Sequence, residues 1–237
     1  AGESWLESGM PDKGMPLLDL PAFVAKDGIP KIELCHFHFP SIQPNYVATL
    51  KHAISSAGLT LENILIDRGN LSDPDDATWR GEIALCKMWL DIAADLGANG
   101  CRIDCGTEPP SAAAKFRSAS ALQQLADEAT SLGLKLTTEN FRQTSLQPKD
   151  LLEIIQMVDR PLNLCVDFGN AAKSGQKYET LKQLLPLGTS LHCKGEYPNG
   201  DLDRDEFAHS MKLVKDAEFS GFISLIFDGT DNEWEKT

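Results

Sequence analysis

The sequence lacks an apolar run of the roughly 20 residues that a transmembrane helix needs. Its polar start, Ala1-Gly2-Glu3, does not resemble a signal peptide, so a cytoplasmic location without a membrane partner is expected. Basic residues are also scarce: 22 Lys and Arg stand against 35 Asp and Glu, which gives a formal net charge of −13. Because this charge repels phosphate backbones and anionic lipid head groups, we expect no nucleic-acid partner. A small phosphorylated substrate needs only one local basic patch and stays open.

Two common ligand-binding motifs are missing as well. No GxGxxG or GxxxxGK[ST] loop follows any predicted strand, which removes the commonest reason to expect an open nucleotide-binding sheet. None of the six cysteines forms a CxxC pair, and five of them lie in apolar, strand-like segments. A free cysteine in such a segment behaves as a small hydrophobic residue. We therefore expect reduced, structural cysteines in a cytosolic environment.

The sequence does contain a strict alternation of strand-like and helix-like segments with short connections. The predicted strands are Ser4–Ser8, Ile32–Phe39, Asn63–Asp67, Gly100–Gly106, Leu134–Asn140, Leu162–Asp167, Thr189–Lys194 and Phe222–Phe227. The predicted helices are Leu17–Asp27, Pro44–Ala57, Ala77–Leu96, Ser111–Leu132, Lys149–Val158, Tyr178–Leu185 and Asp205–Phe219. This alternation predicts a parallel sheet with helical crossovers, and eight strands favour one closed (β/α)8 TIM barrel over residues 1–237. The tail, Asp231–Thr237, is too short for a complete last helix, so the N-terminal segment or a second copy in a homodimer would have to cover that flank.

Four of the predicted strands end in a side chain that can bind a metal ion. The segment Leu162–Asn170 reads as a buried strand that ends at Asp167, and the other three carry Glu139, His192 and Asp228 near or just after their C-terminal ends. Because the ends of consecutive strands are neighbours in a barrel, we expect these side chains to surround one ion. Three carboxylates and one imidazole suit Mn²⁺ or Mg²⁺ and also allow Co²⁺ or Zn²⁺. The alternative is that they are ordinary polar residues that face water.

Six segments then carry a family resemblance: Ile32-Glu33-Leu34, Leu90–Gly106, Leu136–Phe141, Cys165–Asn170, Leu191–Glu196 and Gly221–Gly229. In order and spacing they resemble the xylose isomerase-like TIM-barrel superfamily of sugar and sugar-phosphate isomerases and epimerases. The resemblance implies the metal ligands Glu139, Asp167, His192 and Asp228, the last replacing a glutamate. It also implies that Glu139 and Asp228 are the acid–base pair that moves a proton on either face of the substrate. Since Asp is one methylene shorter than Glu, Asp228 would reach the ion and the substrate carbon less closely.

Other polar residues are predicted to contact the substrate. Lys194 lies two residues after His192 and so shares its sheet face. The family's His-x-Lys pattern implies that Lys194 is a catalytic cation at the substrate carbonyl or hydroxyl. Asn170 stands where ketose epimerases tend to carry a histidine. Further predicted contacts are Arg102 and Arg142, which could hold an anionic group, and Trp5, which could stack on a sugar face.

The strand that contains two histidines allows two orientations. In a regular strand His36 and His38 face the same way, and if they line the pocket then Glu33 faces outward. The resemblance implies an inward Glu33 instead. A bulge or a strand end near Cys35 would reconcile the two orientations, so all three polar residues are kept as candidate substrate contacts.

The resemblance implies a divalent-metal-dependent isomerase or epimerase. Its substrate would be a small sugar, keto-sugar or sugar phosphate, and it would act by proton transfer through an enediolate. The alternatives are a metal-dependent lyase similar to inosose dehydratase and a non-catalytic sugar-binding barrel. The apurinic endonucleases of the superfamily fit poorly, because a cluster of about three zinc ions needs many histidines. This chain has five His and a net charge of −13.

Overall fold

The computed structural model of the chain describes residues 15–227, and in this range seven parallel strands form one sheet in chain order. The strands are β1 (Lys31–Cys35), β2 (Thr60–Ile66), β3 (Gly100–Ile103), β4 (Lys135–Glu139), β5 (Asn163–Asp167), β6 (Ser190–Lys194) and β7 (Phe222–Ile226). The helices are α1 (Leu20–Ala25), α2 (Pro44–Ser56), α3 (Asp76–Leu96), α4 (Ala112–Ser131), α5 (Arg142–Ser145), α6 (Pro148–Val158), α7 (Phe168–Lys173), α8 (Lys177–Leu184) and α9 (Arg204–Asp216). Two short 3₁₀ helices cover His36–His38 and Leu185–Leu187.

The sheet curls into a nearly closed barrel. Lys31 at the start of β1 lies over the ring of Phe222 at the start of β7, with its Nζ 5.5 Å from the ring centroid. Glu33 of β1 likewise reaches His192 of β6 inside the barrel. The predicted TIM-barrel fold is therefore confirmed. The predicted strand Ser4–Ser8 and the tail from residue 231 lie outside the described residues.

Local sequence signals set the helix ends. Asp75 caps α3 by accepting a hydrogen bond from the Thr78 N–H at 2.8 Å, and α3 ends at Gly97 in the left-handed region with φ 80°. Ser111 caps α4 by accepting from the Ala114 N–H at 3.1 Å. In residues 15–227, no helix is both long and apolar enough to cross a membrane.

Most of the strands are buried on both faces, as expected for a parallel sheet covered by helices, whereas β7 exposes Ile223 and Leu225 on its outer face. The residues of β3 are buried throughout, and in β1 and β4 only the first residue is exposed. All six cysteines are buried thiols outside any disulfide.

Two strands end more than one residue earlier than predicted. β1 ends at Cys35 rather than at Phe39, and β3 ends at Ile103 rather than at Gly106. Both strands pair with β2, which itself ends at Ile66. Among the described strands β2 is the one neighbour of β1, and a strand cannot continue without partners for its backbone hydrogen bonds, so the apolar pattern of the sequence overran the sheet at β1. β3 loses its partner on one side at the same level, although β4 continues to Glu139 on the other.

Candidate metal and substrate site

His192 of β6 lies at the centre of a group of buried polar side chains inside the barrel. Its Nε2 is 3.2 Å from Glu33 Oε2, and its Nδ1 is 3.6 Å from both Glu139 Oε2 and Asp167 Oδ2. The side chains of His192, Glu139 and Asp167 are at most 3% exposed. The structure thus brings three of the predicted metal ligands together. Asp228, the fourth, lies outside the described residues.

Glu33 faces inward because β1 is irregular. The register between β1 and β2 shifts on either side of Glu33, and the strand ends at Cys35, so a bulge and a strand end are both present. The Asn63 side chain donates a hydrogen bond to Glu33 Oε1 at 2.7 Å. Burial alone would raise the pKa of Glu33, but His192 and the Asn63 amide outweigh burial and hold this pKa at about 2. Because Glu33 lies against Nε2 of His192, Nδ1, which faces Glu139 and Asp167, is the ring nitrogen placed to bind an ion.

Asn170 orients both carboxylates. Its side-chain amide donates to Glu139 Oε1 at 2.8 Å, and its backbone N–H donates to Asp167 Oδ1 at 2.6 Å. The second contact is a helix cap, because Asp167 ends β5 and begins α7. The other two oxygens, Glu139 Oε2 and Asp167 Oδ2, are buried and accept no hydrogen bond within residues 15–227. Buried carboxylate oxygens of this kind need a cation to neutralise them.

Two protein cations lie beside these oxygens. Arg102 Nε is 2.9 Å from Glu139 Oε2, and Lys194 Nζ is 3.4 Å from Asp167 Oδ2. Burial raises the pKa of Glu139 in spite of the opposing effects of Arg102 and His192. Asp167 is equally buried, yet Lys194 and His192 outweigh burial and hold its pKa well below the usual range. The two carboxyl groups therefore differ: Glu139 is the better proton acceptor, and Asp167 is a fixed anion.

The donor atoms of this group fit a divalent ion. Glu139 Oε2, Asp167 Oδ2 and His192 Nδ1 offer two hard oxygens and one imidazole nitrogen, which suits Mn²⁺, Mg²⁺, Co²⁺ or Zn²⁺. Ligand atoms of Glu139, Cys165 and His192 also lie within 4.8 Å of one another. Burial alone would lower the pKa of His192, but its acidic neighbours Cys165, Glu139 and Glu33 raise it well above the usual value. The group as a whole therefore attracts positive charge.

A second group of charges joins the ends of β2 and β3 to the loop after β4. Arg102 pairs with Asp67, while Arg142 Nε lies 3.0 Å from Asp104 Oδ2 and another Arg142 nitrogen donates to the Asp67 carbonyl. Both guanidinium groups lie over the Phe141 ring, 5.7 and 5.4 Å from its centroid. Burial raises the pKa of Asp104 to about 7, although Arg142 and Arg102 favour its charged form. The two predicted arginines therefore meet at one place.

The remaining predicted substrate contacts are spread more widely. His36 is buried, its Nδ1 accepts a hydrogen bond from the Asp67 N–H at 3.2 Å, and it thereby holds the end of β2. His38 is half-buried, with its ring edge-on to Phe37 at 4.4 Å. Trp5 lies outside the described residues. The roles of His36, His38 and Trp5 as substrate contacts stay predictions.

Solved structures with a similar fold include sugar epimerases. D-psicose 3-epimerase from Clostridium cellulolyticum H10, determined with D-tagatose, is 16% identical with a TM-score of 0.73, over 91% of this chain and 82% of its own. The 3-keto-D-glucoside 4-epimerase from E. coli is 14% identical with a TM-score of 0.70, over 91% of this chain and 89% of its own. A xylose isomerase-like TIM barrel protein from Mycobacterium smegmatis in complex with magnesium is 16% identical with a TM-score of 0.70, over 93% and 87% of the two chains. At these identities the likeness is one of fold.

A family model gives the more specific result. No curated protein matches the chain. The model described as "Xylose isomerase-like TIM barrel" matches residues 21–233, a range that includes all seven described strands. The resemblance predicted from the sequence is thereby confirmed, and the chain belongs to the xylose isomerase-like TIM barrel family.

Proposed function

We propose that the protein is a divalent-metal-dependent isomerase or epimerase acting on a small sugar, keto-sugar or sugar phosphate by proton transfer through an enediolate. The observation that carries this proposal is the pair of buried oxygens, Glu139 Oε2 and Asp167 Oδ2, each 3.6 Å from the same nitrogen of His192. They lie at the C-terminal ends of barrel strands, where TIM barrels carry their chemistry. The epimerases and the magnesium complex among the similar structures support the same chemistry here.

Glu139, Asp167 and His192 would hold the ion, with Asp228 as the predicted fourth ligand. When bound, a divalent ion would polarise the substrate carbonyl and stabilise the negative charge of an enediolate. Asp167 suits a permanent ligand, because its lowered pKa keeps it ionised. Glu33 keeps the His192 ring oriented, with Nδ1 directed at the carboxylates.

Glu139 is the proposed proton carrier. Its raised pKa favours a group that both takes and returns a proton, and contacts with Asn170 and Arg102 hold its carboxylate in place. Proton transfer by a positioned side chain typically contributes about 10²–10⁴-fold to the rate. Asp228 is the proposed partner on the opposite face of the substrate.

Lys194 and Arg142 are the proposed contacts for substrate oxygens. Their side chains are 18% and 26% exposed, compared with 4% for Arg102, so both reach solvent while remaining anchored to buried carboxylates. A cation beside the reacting oxygens stabilises the charge that develops on an enediolate. Arg142 would also accommodate a phosphate group.

Metal binding and turnover together test this proposal. The protein is stripped with EDTA, titrated with Mn²⁺ by calorimetry, and then screened with Mn²⁺ against ketoses, inosose and hydroxypyruvate by NMR. Glu139→Gln should weaken Mn²⁺ binding by at least about tenfold and slow turnover by about 100-fold or more. Glu153→Gln is the control, because Glu153 of helix α6 pairs with Lys115 of helix α4. It should change neither Mn²⁺ binding nor turnover. Absence of Mn²⁺ binding, or unchanged binding in Glu139→Gln, contradicts the proposal, and a new absorbing enone product would indicate the lyase instead.

We also infer a homodimer that covers the outer face of β7. Ile223 and Leu225 alternate along this strand and are 40% and 43% exposed, and a second copy packed there would remove both from water. Light scattering at two protein concentrations tests the inference. Ile223→Lys should then yield a monomer, and a wild-type chain that is monomeric throughout contradicts the homodimer.

A further inference from the structure

Cys165 differs from most of the buried cysteines in what surrounds it. Four of the others pack in the apolar core cluster: Cys86, Cys101, Cys105 and Cys193. Cys165 does not belong to that cluster, although it is only 1% exposed. Its Sγ lies within 4.8 Å of a Glu139 carboxylate oxygen and of a His192 ring nitrogen. A small hydrophobic role, which describes the core cysteines well, does not describe this thiol.

Strand register produces this placement. Glu139 of β4 pairs with Cys165 of β5, and Asp167 of β5 pairs with His192 of β6. Cys165 and Asp167 are two residues apart on the same strand, so both side chains point into the barrel. The Cys165 thiol therefore precedes Asp167 on the inner face of β5 and lies beside the Glu139 carboxylate and the His192 imidazole.

The neighbouring carboxylates can take a metal ion at this place in addition to Arg102 and Lys194, which lie beside them. Glu139 Oε2 and Asp167 Oδ2 belong to side chains that are at least 97% buried, and neither oxygen accepts a hydrogen bond in residues 15–227. We propose that Cys165 is a thiolate ligand of the ion that the proposed function requires, and that the site consequently prefers Zn²⁺ or Co²⁺ to Mg²⁺. This inference rests on the metal site of the proposed function and adds a ligand to it.

The donor chemistry explains the preference. Coordination replaces the S–H bond with a metal–sulfur bond, and the proton passes to the buffer, since a coordinating thiol is deprotonated by the ion. A thiolate is a soft ligand that favours Zn²⁺ and similar transition-metal ions, whereas Mg²⁺ requires oxygen ligands in a nearly octahedral arrangement. Arg102, beside Glu139, would offset the added negative charge of the sulfur.

Co²⁺ binding gives a direct test, because a thiolate bound to Co²⁺ produces an intense near-ultraviolet charge-transfer band that oxygen and nitrogen ligands do not. The metal-free full chain is titrated with Co²⁺, and bound Co²⁺ is measured by equilibrium dialysis. The wild type should show this band, Cys165→Ser should lose it, and Cys193→Ser should keep it. Cys193 is a matched control because its Sγ faces Met211 Sδ, 3.7 Å away, on the outer side of the barrel. Cys165→Ser should also weaken Zn²⁺ binding by at least about tenfold and Mg²⁺ binding by much less.

The outcomes separate this inference from the proposed function. Co²⁺ that binds without the thiolate band overturns the role of Cys165 and leaves the metal site standing. Failure of Co²⁺ to bind overturns both. If Cys165→Ser does not fold, as judged by circular dichroism, Cys165→Ala replaces it. The wild-type spectrum decides in either case, since within residues 15–227 the group of Glu139, Cys165 and His192 is the one that combines a thiol with two other metal-ligating side chains.

Discussion

Asn170→Leu should weaken metal binding although Asn170 is not itself a proposed ligand. The change deletes the 2.8 Å hydrogen bond from the Asn170 amide to Glu139 Oε1 but retains the backbone N–H that caps Asp167 at 2.6 Å. A hydrogen bond to a charged group contributes about 1.5–3 kcal/mol, and about 1.4 kcal/mol corresponds to tenfold in affinity. Loss of a group that orients a ligand typically costs about 10–100-fold in metal affinity, which agrees with this range. We expect a decrease of that size for Mn²⁺.

Titration calorimetry of Mn²⁺ into EDTA-stripped protein measures the effect. Lys173→Met is the matched control, because Lys173 Nζ lies 3.4 Å from the opposite atom of the same amide, Asn170 Oδ1, and the substitution leaves the bond to Glu139 intact. Its Mn²⁺ affinity should equal that of the wild type. Thermal unfolding of both variants checks that they are folded at the assay temperature.

A folded Asn170→Leu protein that binds Mn²⁺ as tightly as the wild type would refute the reasoning. Either Glu139 would not be a ligand, or its orientation would not depend on Asn170. Equal losses in Asn170→Leu and Lys173→Met would point instead to a general effect on helix α7.

Three further predictions concern the same end of the barrel. Glu33→Ala removes the acceptor of His192 Nε2, so Mn²⁺ affinity should fall about 10–100-fold; an unchanged calorimetric titration would exclude Glu33 from the site. Gly106→Ala adds a Cβ at φ 123° and 2.3 Å from Ser72 Oγ, so urea denaturation should show a loss of unfolding free energy, of about 1–3 kcal/mol or more. The pKa of Asp104 is 3.8 ordinarily and about 7 in the folded chain. Between these two pH values the folded chain keeps a proton on Asp104 that the unfolded chain loses. The contribution of Asp104 to the free energy of unfolding therefore falls as pH rises from about 4 to about 7. Asp104→Asn should remove that part of the pH dependence, roughly 2–4 kcal/mol.

Matched controls separate these effects from general damage. Gly133→Ala also adds a Cβ at positive φ, 73°, but meets no atom within 4 Å, so it should cost less than Gly106→Ala. Asp127→Asn, which removes a carboxylate that is 61% exposed, controls for the loss of one negative charge. If Asp104→Asn shows the same slope as the wild type between pH 4 and 7, the raised pKa of Asp104 is contradicted.

The strands could be predicted from the sequence because burial on both faces leaves continuous apolar runs such as β5. Their ends could not, since the length of a strand depends on the length of its neighbour, as β2 limits β1. Helix α7 was missed because Gly169 reads as a stop. The cap that Asp167 provides contributes about 1 kcal/mol, which is comparable with the cost of about 1 kcal/mol for a helical glycine.

The candidate site was only partly predictable for a similar reason. Glu139 and Asp167 were found because a charge ends an apolar strand. Asp67 and Asp104 give the same signal directly after β2 and β3, so the signal alone does not separate metal ligands from partners of the two arginines. The hydrogen bonds by which Asn170 orients Glu139 and Asp167 could not be predicted from the sequence. A hydrogen bond between separate elements depends on distances that the sequence does not contain.

The two carboxylate oxygens of Asp167 make different contacts: Oδ1 caps helix α7, and Oδ2 faces His192 in the centre of the barrel. A mutation there to an aliphatic residue would therefore damage the backbone and the chemistry together, and its phenotype would be hard to interpret. Asp167→Asn separates the two, because asparagine caps helices about as well as aspartate but carries no charge. This variant would keep the helix cap and lose only the charge, so any loss of Mn²⁺ binding that it shows would report on the carboxylate and not on the shape of the barrel.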